Sequence, residues 1–271
     1  MSKLAGRKIL VTRAEHQAGR LSRELAAHGA EAIEVPAIRI LPPADFAPLD
    51  QALRQLSTYG WMLVTSANTV NAMLARIEEL GMVSPGSQTW RTIFGPMPRI
   101  AAIGPASEKA VRRMGWKVDL IPEKYVAESL LQVLGDKLRG QRVLLARSAR
   151  ARDVIPDALR AQGVELDVID AYRTEIPHES VSQVKELFAA GGKKTAVDAA
   201  TFTSSSTVEN FLELMKEAGH TAPPKDIPAI SIGPVTSKAL RAAGWEPAAE
   251  AEDHTIDGLM QVLLKRFAGR A

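Results

Sequence analysis

The segment ISIGPVTSKALRAAGW, residues 230–245, joins a short apolar run, a Gly-Pro turn with a nearby hydroxyl residue, and a stretch with helical spacing of apolar side chains. The segment IGPASEKAVRRMGW, residues 103–116, matches residues 232–245 at 8 of 14 positions without a gap. An apolar run that ends in a turn and leads into an amphipathic pattern predicts a β-strand followed by a helix. One strand–turn–helix unit therefore occurs twice, which indicates a duplicated fold.

The repeat continues on both sides of this unit. Three further pairs of segments match: LLQVL (130–134) with LMQVL (259–263), VTSANTV (64–70) with FTSSSTV (202–208), and ILVTRA (9–14) with VLLARS (143–148). The spacing between the pairs drifts by only a few residues, as it does where surface loops differ in length. We therefore predict two copies of one α/β unit within the 271 residues.

Strand-like and helix-like segments alternate along the whole chain. Six apolar runs end at small or hydroxyl residues: KILVT (8–12), WMLVT (61–65), RIAAIG (99–104), RVLLA (142–146), AATFT (199–203) and PAISIG (228–233). An amphipathic helical pattern follows each of them. This alternation predicts an α/β protein whose parallel sheets carry helices on both faces.

The composition excludes several classes of protein. The chain is 46% hydrophobic and 24% charged, which is ordinary for a globular protein, and it has no cysteine for disulfides or thiolate chemistry. No apolar run approaches the roughly 18 residues of a membrane span, and the first residues lack the apolar core of a signal peptide, so we expect a cytoplasmic protein without a membrane partner. The net charge of +3 is spread without a basic stripe, which argues against nucleic-acid binding.

The turns between strands and helices carry the candidate binding residues. In open parallel sheets, ligands bind beyond the carboxyl ends of the strands, where helix N-termini present unpaired N–H groups to anions. The candidates for substrate binding at these turns are Thr65, Ser66, Ser107, Ser148, Thr203, Ser204, Ser205 and Thr236. Any one of them could be a simple helix N-cap. Their repetition at six turns in two copies favours a cleft that binds a polyanion.

Conventional catalytic machinery is scarce in this sequence. The five histidines lack metal-ligand spacing, and neither a nucleophile elbow nor a phosphate-binding glycine loop is present. Arg13 and Arg147 end equivalent strands, where a planar guanidinium could bind carboxylates or form a surface salt bridge. Tyr172 is one of three tyrosines, and on residue type alone it fits packing or catalysis.

The sequence resembles the uroporphyrinogen-III synthase family over essentially its whole length. The matching segments are VTR (11–13), TSANTV (65–70), AIGPAS (102–107), AESLL (127–131), AYRT (171–174), FTSSSTV (202–208), SIGPVT (231–236) and TIDGL (255–259). Their order and spacing together carry the resemblance.

The resemblance implies two flavodoxin-like α/β domains with parallel sheets, built from the internal repeat and joined by a two-stranded linker. Residues 1–37 and 174–271 would form one discontinuous domain, and residues 40–171 the other. The linkers, near 35–40 and 170–174, fall at equivalent repeat positions: VPAIR begins at 35 and IDAYR at 169, and 169 − 35 = 134.

The resemblance also implies an activity and roles for residues. The family's lyase reaction closes linear hydroxymethylbilane into uroporphyrinogen III in tetrapyrrole (heme) biosynthesis, with loss of water and inversion of ring D. Tyr172 matches the catalytic candidate, and Ser66, Ser107, Ser204 and Thr236 match positions that contact acetate and propionate groups. No cofactor and no metal are implied, so catalysis would rest mainly on positioning the chain.

The expected partners are the small-molecule substrate and, transiently, hydroxymethylbilane synthase, with the protein itself a monomer. Two alternatives from other classes stay open. One is a two-domain protein that binds an anion without chemistry. The other is a sugar-phosphate isomerase, because TSSST (203–207) is similar to hydroxyl-rich phosphate loops, although it lacks their glycine and a nearby general base.

Overall fold

The structure is a computed structural model, and it describes residues 3–13, 15–82, 94–188 and 197–268, with no account of the side chains of residues 15–17. The chain divides into two compact units. The first unit contains Met1–Arg39 and Glu175–Ala271, and the second contains Ile40–Thr174.

Ten strands and ten α-helices alternate along the described residues. The strands are β1 (Lys8–Val11), β2 (Glu31–Glu34), β3 (Arg39–Leu41), β4 (Trp61–Val64), β5 (Arg99–Ala102), β6 (Arg142–Ser148), β7 (Glu165–Glu175), β8 (Ala199–Phe202), β9 (Ala229–Ser231) and β10 (Pro247–Glu250). The helices are α1 (Glu15–Ala27), α2 (Ala47–Arg54), α3 (Ala67–Glu79), α4 (Pro105–Arg113), α5 (Ala127–Leu134), α6 (Val154–Ala161), α7 (His178–Leu187), α8 (Ser205–Glu217), α9 (Pro234–Ala242) and α10 (Ile256–Phe267). The predicted α/β class is confirmed.

The first unit holds one five-stranded parallel sheet. Its strand order is β10-β9-β8-β1-β2, and every neighbouring pair is parallel. If the five strands are numbered along the chain, the order is 2-1-3-4-5, which is that of flavodoxin-like doubly wound proteins. The sheet therefore has the predicted arrangement.

The second sheet, built almost entirely from the second unit, has the order β3-β7-β6-β4-β5. The pairs β7–β6, β6–β4 and β4–β5 are parallel. Beyond β5, Leu120 forms an isolated parallel bridge with Ala101. The repeat relates this bridge to the pair Ala249 and Ile230 of the first sheet, since 249 − 120 = 129 and 230 − 101 = 129. The bridge is therefore the reduced equivalent of β10.

The two sheets repeat the same pairing residue by residue. In the first sheet Ile9 pairs with Ala199, and in the second Val143 pairs with Trp61. The offsets are 143 − 9 = 134 and 199 − 61 = 138, as in the repeated sequence. Each copy of the repeat has five strands, numbered 1 to 5 along its sequence. The chain forms strands 1 and 2 of the first unit, then strands 3, 4, 5, 1 and 2 of the second unit, and finally strands 3, 4 and 5 of the first unit.

Each sheet buries both faces. Along β4, Met62 and Val64 pack in one apolar cluster, whereas Trp61 and Leu63 pack in another with Leu130 of α5. Successive side chains of a strand point to opposite faces, so a strand covered on both sides is apolar throughout. The sheet of the first unit is covered in the same way.

Local sequence sets where the helices begin and end. Pro105 and Pro234 are the first residues of α4 and α9, where a missing N–H costs no helical hydrogen bond. Gly81 and Gly219 follow α3 and α8 with φ of 62° and 93°, a region that favours glycine. These start and stop positions agree with the sequence pattern.

The tryptophan that ends both copies of the opening segment is structural. Trp245 is almost fully buried, and its indole N–H donates to the carbonyl of Ile227 over 3.0 Å. Its ring meets Phe202 edge-on at a centroid distance of 5.2 Å. Trp116 is also buried in its own unit. The repeated Gly-Trp pair therefore anchors each copy to its core.

Candidate functional site

The turns after β4 and β8 place hydroxyl groups at the N-termini of α3 and α8. Ser66 is the N-cap of α3, and its hydroxyl accepts the backbone N–H of Thr69 over 3.1 Å. Ser204 caps α8 in the same way, with Thr207 as donor at 3.2 Å. In the first unit the backbone N–H of Ser204 also donates to the Thr207 hydroxyl, which closes a capping box.

The equivalent turn in the second unit has different hydrogen bonds. The hydroxyl of Thr69 lies 2.9 Å from that of Ser66, and the hydroxyl of Ser66 lies 3.2 Å from that of Tyr172. Three hydroxyl groups therefore form a chain from the first turn of α3 to β7. The repeat offset of 134 maps Tyr172 onto Ile38, so the first unit has no tyrosine at the equivalent position.

A β-bulge in β7 accompanies the placement of Tyr172. Arg147 pairs with Asp170, whereas the next residue, Ser148, pairs with Tyr172, so Ala171 is the extra residue. In a regular strand Ala171 and Tyr172 would point to opposite faces, but both are buried in the same apolar cluster. Bulges re-aim side chains in this way near active sites. Tyr172 is 7% exposed and lines a small apolar pocket between β3 and α3.

Arg147 lies at the carboxyl end of β6 with its side chain 14% exposed. One guanidinium nitrogen, Nη1, is 2.7 Å from the carboxylate of Asp153, the residue before α6. Its Nε is buried and has no hydrogen-bond partner in the described part of the chain. Ser148 accepts a long backbone hydrogen bond from Arg150, at 3.4 Å.

A pocket of about 260 Å³ opens beside Arg147, at the carboxyl ends of β4, β5 and β6. We call it the Arg147 pocket, and its principal lining residues are Thr65, Tyr125, Val126, Arg147, Val154 and Ile155. Thr65 and Arg147 are binding residues predicted from the sequence, and the structure brings them to one pocket. Tyr125 is a lining residue that the sequence did not single out.

Arg13, the repeat equivalent of Arg147, follows β1 in the first unit and is half-buried. Burial lowers the pKa of its guanidinium below the usual value, because the charged form loses solvation. The preceding Thr12 is fully buried and donates to the carbonyl of Thr201, which ties β1 to β8. Thr203, Ser204 and Ser205 are half-buried at the neighbouring strand end.

Ser107 and Thr236, predicted from the sequence as binding residues at the turns, are buried within the first turns of their helices. Each is the third residue of its helix, α4 or α9, and each is only 3% exposed. The residues before these helices, Gly104 and Gly233, provide no side-chain cap. The first N–H groups of α4 and α9 therefore have no capping side chain from those positions, and a ligand anion suits such a helix end.

A planar ring covers each of these glycines. A Cβ atom on Gly104 would lie 3.2 Å from a ring carbon of Tyr125, and one on Gly233 would lie 2.7 Å from a ring carbon of His254. Both pairs are related by the repeat offset, since 233 − 104 = 129 and 254 − 125 = 129. Tyr125 and His254 therefore occupy the same repeat position. Extending the match of residues 130–134 with 259–263 back to residue 125 would have revealed this correspondence and pointed to Tyr125 as a candidate residue.

A second polar cluster lies at the opposite, amino-terminal end of β6. Asp167 accepts hydrogen bonds from Arg142 at 2.8 Å and from the hydroxyl of Tyr59 at 2.7 Å. Burial, and then the hydrogen bond to Asp167, raise the pKa of the Tyr59 hydroxyl above its usual value. This cluster ties β6 to β7 far from the ligand-binding end of the sheet, so we assign it a structural role.

The described ranges contain neither a metal cluster nor a membrane helix. Within them, no three His, Asp or Glu side chains come together as a metal site. In those same ranges, no helix has the length and apolar character to cross a membrane.

Comparisons with known proteins match this architecture. A family model described as uroporphyrinogen-III synthase HemD matches residues 19–261. The uroporphyrinogen-III synthase of Synechococcus elongatus is 31% identical over 261 residues, covering 95% of this chain and 94% of the relative. A putative uroporphyrinogen-III synthase of Methanothermobacter thermautotrophicus is 30% identical over 264 residues, covering 94% of this chain and 96% of the relative.

Two solved structures share the fold. A mutant uroporphyrinogen III synthase from Thermus thermophilus superposes with a TM-score of 0.68 at 17% identity, covering 98% of this chain and 100% of that chain. The uroporphyrinogen-III synthetase of Helicobacter pylori gives a TM-score of 0.57 at 17% identity, covering 96% of this chain and 99% of that chain.

The two five-stranded sheets, the duplicated hydroxyl-bearing turns and these likenesses define a two-domain α/β protein of the HemD fold. The chain belongs to the uroporphyrinogen-III synthase family, a family of hydro-lyases in tetrapyrrole biosynthesis. The family predicted from the sequence is confirmed. The comparisons favour this assignment over the anion receptor and the sugar-phosphate isomerase.

Proposed function

We propose that this protein closes hydroxymethylbilane into uroporphyrinogen III, with loss of one water molecule and inversion of ring D. Membership of the uroporphyrinogen-III synthase family supports the activity. The observation that carries the assignment of a catalytic residue is the hydroxyl pair of Tyr172 and Ser66, 3.2 Å apart at the N-terminus of α3.

The proposed chemistry asks little of acid–base groups. The bond between the terminal carbon and its hydroxyl oxygen breaks, and the hydroxyl leaves as water with a proton that the N–H of the same pyrrole replaces by losing its own, which gives an azafulvene. The substituted carbon of ring D attacks that terminal carbon and forms a spiro-pyrrolenine. The bond from this carbon to its original bridge carbon then breaks, the bridge carbon bonds to the unsubstituted α-carbon of ring D, and loss of the proton from that α-carbon restores the pyrrole with ring D inverted. Tyr172 donates a hydrogen bond to the departing oxygen, which stabilises the charge that develops on it.

Ser66 supports Tyr172 in this proposal. The Ser66 hydroxyl has one proton and two lone pairs, and it already meets the Thr69 N–H, the Thr69 hydroxyl and the Tyr172 hydroxyl. Donation from Ser66 to the tyrosine oxygen would make the tyrosine a stronger donor, because hydrogen bonds in a chain polarise one another.

Substrate carboxylates are proposed to bind at the carboxyl ends of both sheets. The guanidinium groups of Arg13 and Arg147 offer planar donors, and the N-termini of α4 and α9 offer N–H groups after Gly104 and Gly233. The remaining hydroxyl candidates of the binding proposal are Thr65, Ser107, Ser148, Thr203, Ser204, Ser205 and Thr236. Neutral donors at helix ends suit a substrate with eight carboxylates, because they bind anions without requiring an equal number of cations.

The two compact units are proposed to be the family's two domains, connected near residues 35–40 and 170–174. Cytoplasmic action as a monomer, without a cofactor, and transient contact with hydroxymethylbilane synthase belong to the same proposal. Family membership supports the cytoplasmic location among these points.

One measurement tests the activity. Hydroxymethylbilane is generated in place by hydroxymethylbilane synthase, and the ratio of uroporphyrinogen isomers III and I is measured with and without this protein. We expect isomer III to dominate only when the protein is present. A ratio equal to that of spontaneous closure would refute the proposed function.

A further inference from the structure

The Arg147 pocket places Tyr125 beside two residues proposed to bind carboxylates, Thr65 and Arg147. It lies at the carboxyl end of the second sheet, next to Thr65 and one residue from Ser66, and its volume is about 260 Å³. Pockets that hold a whole drug-sized ligand measure roughly 300–1,000 Å³. The pocket is therefore matched to a single ring with its substituents.

Exposed apolar side chains concentrate at this pocket. Among the described residues only four large apolar side chains are exposed, and three of them, Tyr125, Val126 and Val154, line it. Tyr125 is 58% exposed, although a tyrosine placed for packing alone would be covered. A contiguous exposed apolar patch marks an interaction site more reliably than a single exposed residue does.

The backbone allows the ring of Tyr125 to lie where it does. Gly104 has extended φ and ψ of −173° and 178°, so its lack of a side chain serves no unusual backbone angle. A Cβ atom there would lie 3.2–3.4 Å from carbons of the Tyr125 side chain, which is tighter than ordinary contact. The ring therefore rests on the bare backbone that begins α4.

The same arrangement recurs in the first unit, where the ring of His254 covers Gly233. His254 is exposed as Tyr125 is. The residue type differs between the two copies, but both copies have a planar ring at this repeat position. A ring over this turn is thus a feature of both units.

The charged groups of the pocket define the chemistry that fits. Arg147 and Arg152 provide positive charge, and Glu128 and Asp153 provide negative charge. The buried Nε of Arg147 is a donor without a hydrogen-bond partner in the described part of the chain. A balanced set of this kind suits a ligand with both a carboxylate and an N–H donor, and a flat ring suits the face of Tyr125.

We infer that the Arg147 pocket is a subsite for one pyrrole ring of the substrate, with Tyr125 against the ring face and Arg147 on one of its carboxylates. The assignment rests on the proposed function for the identity of the ring. It makes Tyr125 a substrate-contacting residue.

The first test measures binding without turnover. A monopyrrole that carries one acetate and one propionate group is titrated into the isotope-labelled full chain, and backbone amide shifts are followed by NMR. We expect shifts in residues 125–128 and 152–155, and their loss in Tyr125→Ala. Shifts confined to other residues, or unchanged in Tyr125→Ala, would overturn the subsite.

The second test measures kinetics with hydroxymethylbilane. We expect Tyr125→Ala and Arg147→Gln to raise KM about tenfold with a smaller change in kcat, because a lost ground-state contact appears mainly in KM. Tyr125→Phe keeps the ring face and should raise KM less than Tyr125→Ala does. Arg139→Gln is the matched control, since Arg139 is exposed and pairs only with Asp136 at the surface in the described contacts. Equal KM in Tyr125→Ala and wild type would overturn the inference.

The two proposals can fail separately. If wild type produces isomer III but the variants keep wild-type KM and the monopyrrole leaves the pocket unshifted, the subsite is wrong and the synthase activity stands. If wild type produces no isomer III, the proposed function is wrong, and the subsite's identification as a pyrrole-ring site falls with it.

Discussion

The hydroxyl oxygens of Ser66 and Tyr172 lie 3.2 Å apart, and the same Ser66 hydroxyl caps helix α3. One side chain thus links the helix N-terminus to the tyrosine proposed to assist catalysis. Ser204, its repeat equivalent, caps α8 with no tyrosine at the matching position, since Ile38 stands there. The duplicated turn therefore has a tyrosine neighbour in only one of its two copies.

Tyr172→Phe should lower kcat about tenfold, which corresponds to about 1.4 kcal/mol in the activation barrier. The lost hydroxyl removes one hydrogen bond to the departing oxygen, while the ring keeps its place in the core. The product should remain isomer III, because positioning of the chain is unchanged. Full activity in Tyr172→Phe would assign Tyr172 to packing alone.

Ser66→Ala should lower kcat when Tyr172 is present, but it should have little further effect on kcat when it is combined with Tyr172→Phe. This non-additivity is the signature of a residue that acts through another one. The four proteins of the double-mutant cycle are compared in steady-state kinetics. Independent, multiplicative effects would show that Ser66 does not position Tyr172.

The loss of the cap is measured separately from this kinetic effect. Ser66→Ala and Ser204→Ala should each destabilise the protein by about 1 kcal/mol, since each loses a helix N-cap. Urea unfolding of both variants makes Ser204→Ala the stability control for Ser66→Ala. A much larger loss in Ser66→Ala would attribute its kinetic effect to damaged structure.

Thr236→Val and Ser107→Ala distinguish architecture from binding at the repeated Gly-Pro turn. Both residues are only 3% exposed, so their hydroxyls can reach a ligand only if the ligand approaches the helix end closely. A binding role predicts KM raised about threefold or more with nearly unchanged Tm, because a hydrogen bond to a charged group is lost. A lower Tm with wild-type KM would make these hydroxyls structural.

Asp50→Asn should reduce stability in a pH-dependent way. The guanidinium of Arg76 donates to both carboxylate oxygens of Asp50 at 2.7 Å, and this hydrogen bonding lowers the pKa of Asp50. A lowered pKa gives stability that is present above the unfolded value of about 3.9 and is lost as pH falls through the folded value.

Chemical unfolding from about pH 7 to about pH 2.5 checks this expectation. Wild type should be more stable than Asp50→Asn near neutral pH, and the difference should shrink as the carboxyl is protonated in acid. Asp136→Asn is the matched control, because both Asp136 and its partner Arg139 are almost fully exposed. An equal difference at all pH values would contradict the assigned cause.

Much of the fold follows from the sequence because it depends on local patterns. The apolar runs that become β4 and β8 are buried on both faces, and the prolines and glycines mark the ends of their neighbouring helices. The repeat offsets, 134 for the first strands and 138 for the third, correspond to the register of the sheets. Continuous apolar runs and helical spacing are readable wherever a strand or helix has one environment along its length.

The details of the candidate site depend on geometry that local patterns do not encode. The bulge at Ala171 depends on how β7 pairs with β6, and no glycine or proline in that segment predicts it. The burial of Ser107 depends on how α4 rotates against its neighbours. The position of Tyr125 over Gly104 arises between two segments that are distant in sequence, so only the repeat itself holds a signal for it.

The interleaved order of the repeat strands has a consequence during synthesis on the ribosome. Strand β1 pairs with β8, so the pairing of Ile9 with Ala199 cannot form until Ala199 has been added to the chain. At about 5–20 residues per second, this delay is on the order of 10–40 s. The second unit is contiguous and can complete its sheet in that interval, while the backbone N–H and C=O groups on the β8-facing edge of β1 stay unpaired. The nascent chain therefore carries an exposed, aggregation-prone strand edge. Prompt elongation or chaperones protect this edge from pairing with other chains.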